Sequence, residues 1–473
     1  KTKNVPDDRD IHENWGEQPC WQPNEKGKIT NSDYFGGNLK GVEEKLDYIA
    51  SLGVNCIYLN PIFEAHSNHR YDTADYTKID PLLGTEKDFI SLCKKAKAKN
   101  IDIIVDGVFN HTGADSVYFN KNNRYNSVGA YNSKQSPYYS WYSFRKWNED
   151  YECWWDFDTL PNLNETDESY CEFLFGKGGI IKKWLKLGAS GWRLDVADEL
   201  PDSFLDKLTA CVKEEKSDAL VLGEVWEDAS NKCAYNVRRR YLLGGQLDSV
   251  MNYPFADALM YFMRTGIATG FTEKILTILE NYPPQCVNLL MNHIGTHDTV
   301  RAITAMVGES CDGRDRRWQA QQKLSEEQRK IGIEMMKTIS AMQFTLPGIP
   351  SIYYGDEAGL EGCKDPFNRG CYPWGKENEE LLEWYRKLGK IRRSSPALID
   401  GSFIPVSEAM GCIAYARAGN NSRILTIANR NVHPITYYLP EEWHGARLLL
   451  GGTGIQYTSV DIPAYGAVIL NKQ

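Results

Sequence analysis

Positive charge is in deficit. Lys and Arg number 54 against 63 Asp and Glu, a net charge of −9. An acidic chain has no electrostatic footprint for nucleic acid or an anionic membrane surface, so neither is expected as a partner. Long apolar runs are also missing, and none approaches the roughly 20 residues of a membrane span. The opening KTKNVPDDRD lacks the apolar core of a signal peptide. No CxxC occurs among the 12 cysteines, and the eight His do not stand beside Cys at zinc-ligand spacing. Cys56 lies in an apolar strand, and Cys93 and Cys211 lie on apolar helix faces. The expectation is reduced, buried thiols in a cytoplasmic protein.

What is present is ordinary globular composition. The chain is 42% hydrophobic and 25% charged, with 39 Gly and 20 Pro, which excludes disordered, collagen-like and coiled-coil classes. Its 473 residues suit two or three domains. Tyr and Trp, 27 and 13, fill cores and also stack on sugars.

Helical and extended segments alternate through most of the chain. Val42, Leu46, Ile49 and Leu52 predict a helix ending at Gly53, with a strand at 54–59 behind it. Thr85 and Asp88 form a capping-box-like pair at a helix start, and a strand follows at 101–108. Further helices read at 180–187 and 204–213. Further strands read at 191–196, 219–225, 247–251, 287–294 and 349–354. Apolar strands separated by amphipathic helices indicate a parallel sheet under helices, and seven of them predict an α/β fold of the (β/α)8 TIM-barrel type. Residues 111–175 break the rhythm and read as an inserted loop domain after the barrel's third strand. Most of its aromatic residues are expected to form a small core of its own, with a minority lining a cleft. From about 398 to 473 the pattern is short β segments, predicting a C-terminal antiparallel β-sandwich. The barrel is thereby divided into 1–110 and 176–397.

Barrel chemistry sits where strands end. Those ends carry Asp106 to His111, Arg193 and Asp195, Glu224 and Trp226, and His297 and Asp298. Each alone suits a turn, a cap or an ion pair. Their shared position at the ends of successive strands is what points to chemistry. Arg193 and Asp195, two apart on a strand, face the same way, so the guanidinium should keep Asp195 ionised, as a nucleophile requires. Glu224 has no cation beside it in sequence, and an apolar setting would raise its pKa, as a general acid requires. Two carboxyls in unlike settings are the pattern for glycosidic cleavage.

These motifs, DGVFNH, GWRLDVADE, GEVW and HIGTHD, resemble in order those of the α-amylase superfamily of retaining glycoside hydrolases. The resemblance implies Asp195 as nucleophile, Glu224 as general acid/base and Asp298 as transition-state stabiliser. It implies substrate contacts from Tyr71, His111, Arg193, Trp226 and His297, with Asp106 supporting the arginine. LPNLN at 160–164, SNHRYDTADY, LDSVMNYPF and GDEAGLEG are similar to the neopullulanase, cyclomaltodextrinase and maltogenic amylase subgroup. Asp365 and Arg369 match its DPxxR, which grips the sugar beyond the cleavage site. The implied substrates are α-glucan oligosaccharides, cyclodextrins and pullulan, cleaved at α-1,4 and sometimes α-1,6 bonds, and a homodimer is allowed. An α-glucosidase or glucanotransferase would use the same residues. A non-catalytic sugar-binding relative would have lost one of the three carboxylates.

Four departures bear on this. Asp198 stands where the subgroup usually has Asn, and Glu227 where many members have His, both on the leaving-group side. Asn38, in FGGN, replaces the Asp of calcium-binding members. Asn110 stays open between a calcium ligand and a structural hydrogen bond. No cofactor is required for the chemistry. Lastly, no apolar strand precedes NVPDDRD, so the first barrel strand is expected to lie upstream of this sequence.

Overall fold

The computed structural model describes residues 5–419 and 421–472. Seven short parallel strands line the barrel. Cys56–Leu59, Asp102–Gly107, Gly191–Leu194, Leu220–Gly223 and Ser249–Val250 are hydrogen-bonded in that order. A single bridge, Met251 to Met291, carries the sheet on to Met291–Asn292, which pairs with Ile349–Pro350. Helices cover the outside, and the chain has the (β/α)8 fold expected of its alternation.

Local signals explain most elements. Thr85 and Asp88 form a reciprocal capping box on helix Glu86–Lys97, whose buried face is Phe89, Leu92, Cys93 and Ala96. Helix Ile180–Leu187 ends at Gly188, as read. Two expectations are corrected. The helix predicted across Val42–Leu52 is two helices, Leu39–Glu44 and Leu46–Ser51, broken at Lys45. The strand predicted at 287–294 is only Met291–Asn292, because Pro283 and Pro284 start a helical turn, Pro284–Val287.

The aromatic residues of the inserted segment pack on one another, Phe119 against Tyr131, Tyr142, Phe144 and Tyr151 and Tyr118 against Tyr138 and Trp141, and Tyr118 carries the contact outward to Tyr76. The segment's buried Tyr118, Phe119, Trp141, Tyr142 and Tyr151 belong to the same apolar cluster as the barrel residues Val105, Trp192 and Val221. Trp155 is 73% exposed, and Trp154 is half-buried. The C-terminal sandwich packs a five-stranded antiparallel sheet, led by Ser402–Ala409, against a three-stranded one, with Trp443, Leu425 and Val468 between them. The other face of the larger sheet joins the barrel through helix Glu326–Thr345. There Thr345 Oγ1 meets the Tyr415 hydroxyl at 2.8 Å, and Arg417 Nη1 donates to the Thr345 carbonyl at 3.0 Å.

The cysteines depart from a uniformly reduced, buried set. Cys311 and Cys363 form a disulfide, and Cys20 and Cys233 are exposed thiols. No helix among the described residues is long and apolar enough to cross a membrane.

One close approach fixes a helix on the barrel. Gly53 has φ +83°, and a Cβ on Gly389 would overlap the Leu52 carbonyl. Gly389→Ala should therefore lower stability by about 1–3 kcal/mol, seen as a lower urea midpoint with an unchanged slope.

Candidate active site

Strand register builds the centre of the site. Ile104 pairs with Gly191 and Asp106 with Arg193. Arg193 in turn pairs with Leu222, and Tyr58 with Ile104. Because side chains alternate along a strand, Tyr58, Asp106, Arg193, Asp195 and Glu224 all share the inward face.

Arg193 is fully buried and holds three carboxylates. Its Nη1 lies 3.1 Å from Asp106 Oδ2 and 2.8 Å from Asp195 Oδ1, and its Nη2 lies 2.8 Å from Glu224 Oε2. The last contact gives Glu224 a cation in place of the apolar setting expected from its sequence neighbours. Glu224 Oε2 also accepts from Val196 N at 2.9 Å, and Oε1 accepts from Trp226 Nε1 at 3.2 Å. The expectation for Asp195 needs the same care. Burial raises its pKa well above the carboxylate range, the Arg193 charge opposes that, and the neighbouring carboxylates reinforce it. Asp106 is raised by burial too. One cation among so many carboxylates favours keeping a proton in the cluster.

The rim is equally connected. Tyr58 and Tyr71 both donate to Asp106 Oδ2, at 2.5 and 3.1 Å. Tyr71 lies parallel to His297, its hydroxyl 2.7 Å from Nε2, and that nitrogen is 3.1 Å from Asp298 Oδ2. Burial keeps the His297 pKa well below its ordinary value, helped by Arg193 and Arg369. His111 is held at about 4 by burial and stacks on Trp154. Both rings are thus neutral hydrogen-bonding groups at pH 7. Burial, with Glu224 nearby, pushes Asp298 up to about 6. Arg369 reaches Asp298 Oδ1 at 3.4 Å, the His297 carbonyl at 2.9 Å and Asp365 Oδ1 at 3.1 Å. Trp226 is half-exposed and stacks on Tyr253 with centroids 4.1 Å apart. The eleven residues to which the resemblance gave a role, Asp106 included, therefore fall in one connected cluster, His111 joining it through Nε2 at 3.1 Å from the Tyr71 carbonyl.

Some neighbours were not anticipated. Tyr58 stands at a strand end but carries no charge. Asn368 donates to the carbonyls of His297 and Thr299, a contact across some seventy residues that no local pattern signals. Lys232 bridges the two departures, reaching Asp198 at 3.1 Å and also Glu227. The candidate calcium positions are engaged otherwise. Asn38 caps helix Leu39–Glu44 by accepting from Gly41 N, and Asn110 Oδ1 meets His111 Nδ1 at 2.9 Å. These residues do not present the open oxygen cage that calcium needs.

The α-amylase catalytic domain model matches residues 22–394. An amylopullulanase of Thermoanaerobacter thermohydrosulfuricus is 37% identical over 433 residues, 83% of this chain. The chain spans only 28% of that relative's length. A cyclomaltodextrinase of Geobacillus thermopakistaniensis is 32% identical over 459 residues, 93% of this chain and 71% of that one. Among solved structures, a cyclic α-maltosyl-(1→6)-maltose hydrolase from Arthrobacter globiformis superposes with a TM-score of 0.80 at 27% identity, covering 99% of this chain and 94% of that one.

The raised pKa of Asp298 has a signed consequence. Unfolded, the carboxyl titrates near 3.8; folded, near 6. Its contribution to stability is present below pH 3.8 and is lost as pH rises through 6. Asp298→Asn should therefore gain on the wild type between pH 4 and 7, by an amount on the order of 1 kcal/mol once the solvent screening of this partly exposed side chain is allowed for. Urea unfolding at both pH values checks this, and a difference between variant and wild type that is the same at pH 4 and pH 7 would refute it.

Proposed function

The chain belongs to the α-amylase family, and from that premise we propose that it hydrolyses α-1,4 glucosidic bonds in short or cyclic maltodextrins with retention of configuration. The observation that carries this is the Arg193 fork, with Asp195 on one nitrogen and Glu224 on the other, each at 2.8 Å. Two carboxyls held by one guanidinium suit the close spacing of double displacement, about 5 Å, better than the wider gap that inversion requires. Asp195 attacks the anomeric carbon while Glu224 gives its proton to the departing glycosidic oxygen. Glu224 then takes a proton from water, which attacks the glycosyl ester and frees Asp195. Asp298, His297 and His111 grip the hydroxyls of the reacting sugar, Tyr71 stacks on it, and Trp226 and Trp154 offer aromatic faces to either side. Arg369, tethered by Asp365, orients Asp298. No metal or redox group enters these steps. The relatives' names, amylopullulanase and cyclomaltodextrinase, support an α-glucan or cyclodextrin as substrate.

Glu224→Gln should lower kcat/KM on β-cyclodextrin by about 10²–10⁴ while leaving the fold intact by circular dichroism. Ring opening that persists in the variant would refute the assignment. Panose or maltose released from pullulan identifies the bond cut.

On the leaving-group side, Lys232 neutralises Asp198 and Glu227. Lys232→Met should shift the ratio of transfer to hydrolysis a few-fold with little change in cyclodextrin ring opening. Product analysis on maltotriose reads this, and an unchanged ratio would remove Lys232 from acceptor binding.

A further inference from the structure

The strongest unassigned cluster lies in the N-terminal segment and shares no residue with the site above. Asp10–Ile11 pairs in parallel with Asp33–Tyr34, and His12 N continues the ladder to the Tyr34 carbonyl. That register sets the His12 ring beside Asp33. His12 Nε2 lies 3.1 Å from Asp33 Oδ2 and 3.9 Å from Cys20 Sγ, and the three atoms all fall within 4.8 Å of one another. Sequence spacing gave no hint of this, because the ligands are 8 and 13 residues apart on a Pro- and Gly-punctuated loop.

The surroundings are those of a ligand set. The other ring nitrogen of His12, Nδ1, sits 2.6 Å from Glu17 Oε2, which in turn accepts at its second oxygen from Asn14. Phe35 stacks flat on the ring at 4.2 Å. Asp33 is 4% exposed; its Oδ2 accepts from Cys20 N and its Oδ1 from Asn68 Nδ2, each at 2.8 Å. A carboxylate behind a histidine fixes the tautomer, so that Nδ1 carries the proton and Nε2 offers a lone pair. That lone pair then faces a carboxylate oxygen and a sulfur. Three donor atoms of different kinds thus converge at one point, where a cation could be shared among them.

The spacing suits a metal ion. Tetrahedral zinc, with bonds of about 2.0 Å to N and O and 2.3 Å to S, separates its N and O ligands by about 3.3 Å and its N and S ligands by about 3.6 Å. The His12–Asp33 distance of 3.1 Å and the His12–Cys20 distance of 3.9 Å lie within about 0.4 Å of those values. A sulfur ligand excludes calcium and magnesium, which take oxygen. Cys20 is exposed, which leaves a fourth position to water.

We propose that His12 Nε2, Cys20 Sγ and Asp33 Oδ2 bind a zinc-class divalent transition metal, with Glu17 orienting His12. The Cys20 thiol gives its proton to solvent as the metal–sulfur bond forms. The metal ties down a loop whose Trp15 Nε1 donates to the Tyr372 carbonyl and whose Gln18 donates to the Ala320 carbonyl. Through Asn68 it also braces the segment that carries Tyr71. Its place is structural, and it stands whether or not the glycosidase reading does.

The test uses chelator-stripped full-length chain, zinc chloride and cobalt chloride. Wild type should take up one zinc per chain in equilibrium dialysis. With cobalt it should show the thiolate-to-metal charge-transfer band of a sulfur-bound ion. Cys20→Ser should lose that band, whereas Cys233→Ser, at the other exposed thiol, should keep it. Glu17→Gln, which removes no ligand, should weaken zinc binding about ten- to a hundredfold. A wild-type cobalt spectrum without the band overturns the proposal even if every variant misfolds. So does zinc uptake that is equal in wild type, His12→Ala and Cys20→Ser.

Discussion

A single buried guanidinium organises the catalytic end of the barrel. Arg193 has no contact with solvent and meets Asp106, Asp195 and Glu224. An unpaired buried cation would be severely destabilising, and so would three unpaired carboxylates. Together they offset most of that cost, but the balance stays negative. Burial drives the Asp195 and Asp298 pKa values upward, and the neighbouring carboxylates reinforce it. How readily these carboxyls ionise is therefore set by how the site is held together.

The barrel makes this arrangement economical. Neighbouring strands in register put Tyr58, Asp106, Arg193 and Glu224 on one face without a loop having to carry them. Loops supply the remainder. The segment around Tyr71 adds an aromatic ring and a phenol, and the segment around Asp365–Arg369 reaches back to the backbone of His297. The rigid part holds the carboxylates, and the loops shape what lies above them.

Much of this was legible in sequence, for definable reasons. Helix caps such as Thr85 with Asp88 are local, and so is the parity that sets Arg193 and Asp195 on one side of a strand. The clustering of polar residues at strand ends is nearly local, since it needs only the strands. What escaped depended on register or on distance along the chain. Glu224 meets Arg193 because Leu222 pairs with Arg193, and nothing near Glu224 announces that. The Cys311–Cys363 disulfide joins residues 52 apart, and cysteine spacing alone pointed to free thiols. The inserted segment was read as self-contained because its aromatic residues are so dense. Those residues do pack on one another, and their cluster runs on without a break into the barrel's core, which buries more surface than a small segment could enclose alone.

Helix Glu326–Thr345 bears on how the whole molecule comes apart. Twelve of its twenty residues are buried, and its C-terminal end is hydrogen-bonded to Tyr415 and Arg417 of the sandwich. The helix thus belongs to two bodies at once. Stripping away the sandwich would leave Thr338 and Thr345 without their partners in it and expose the apolar residues around them to water. The sandwich is a permanent wall of the enzyme, unfit to be shuffled as a cassette, and the two should melt as one cooperative unit.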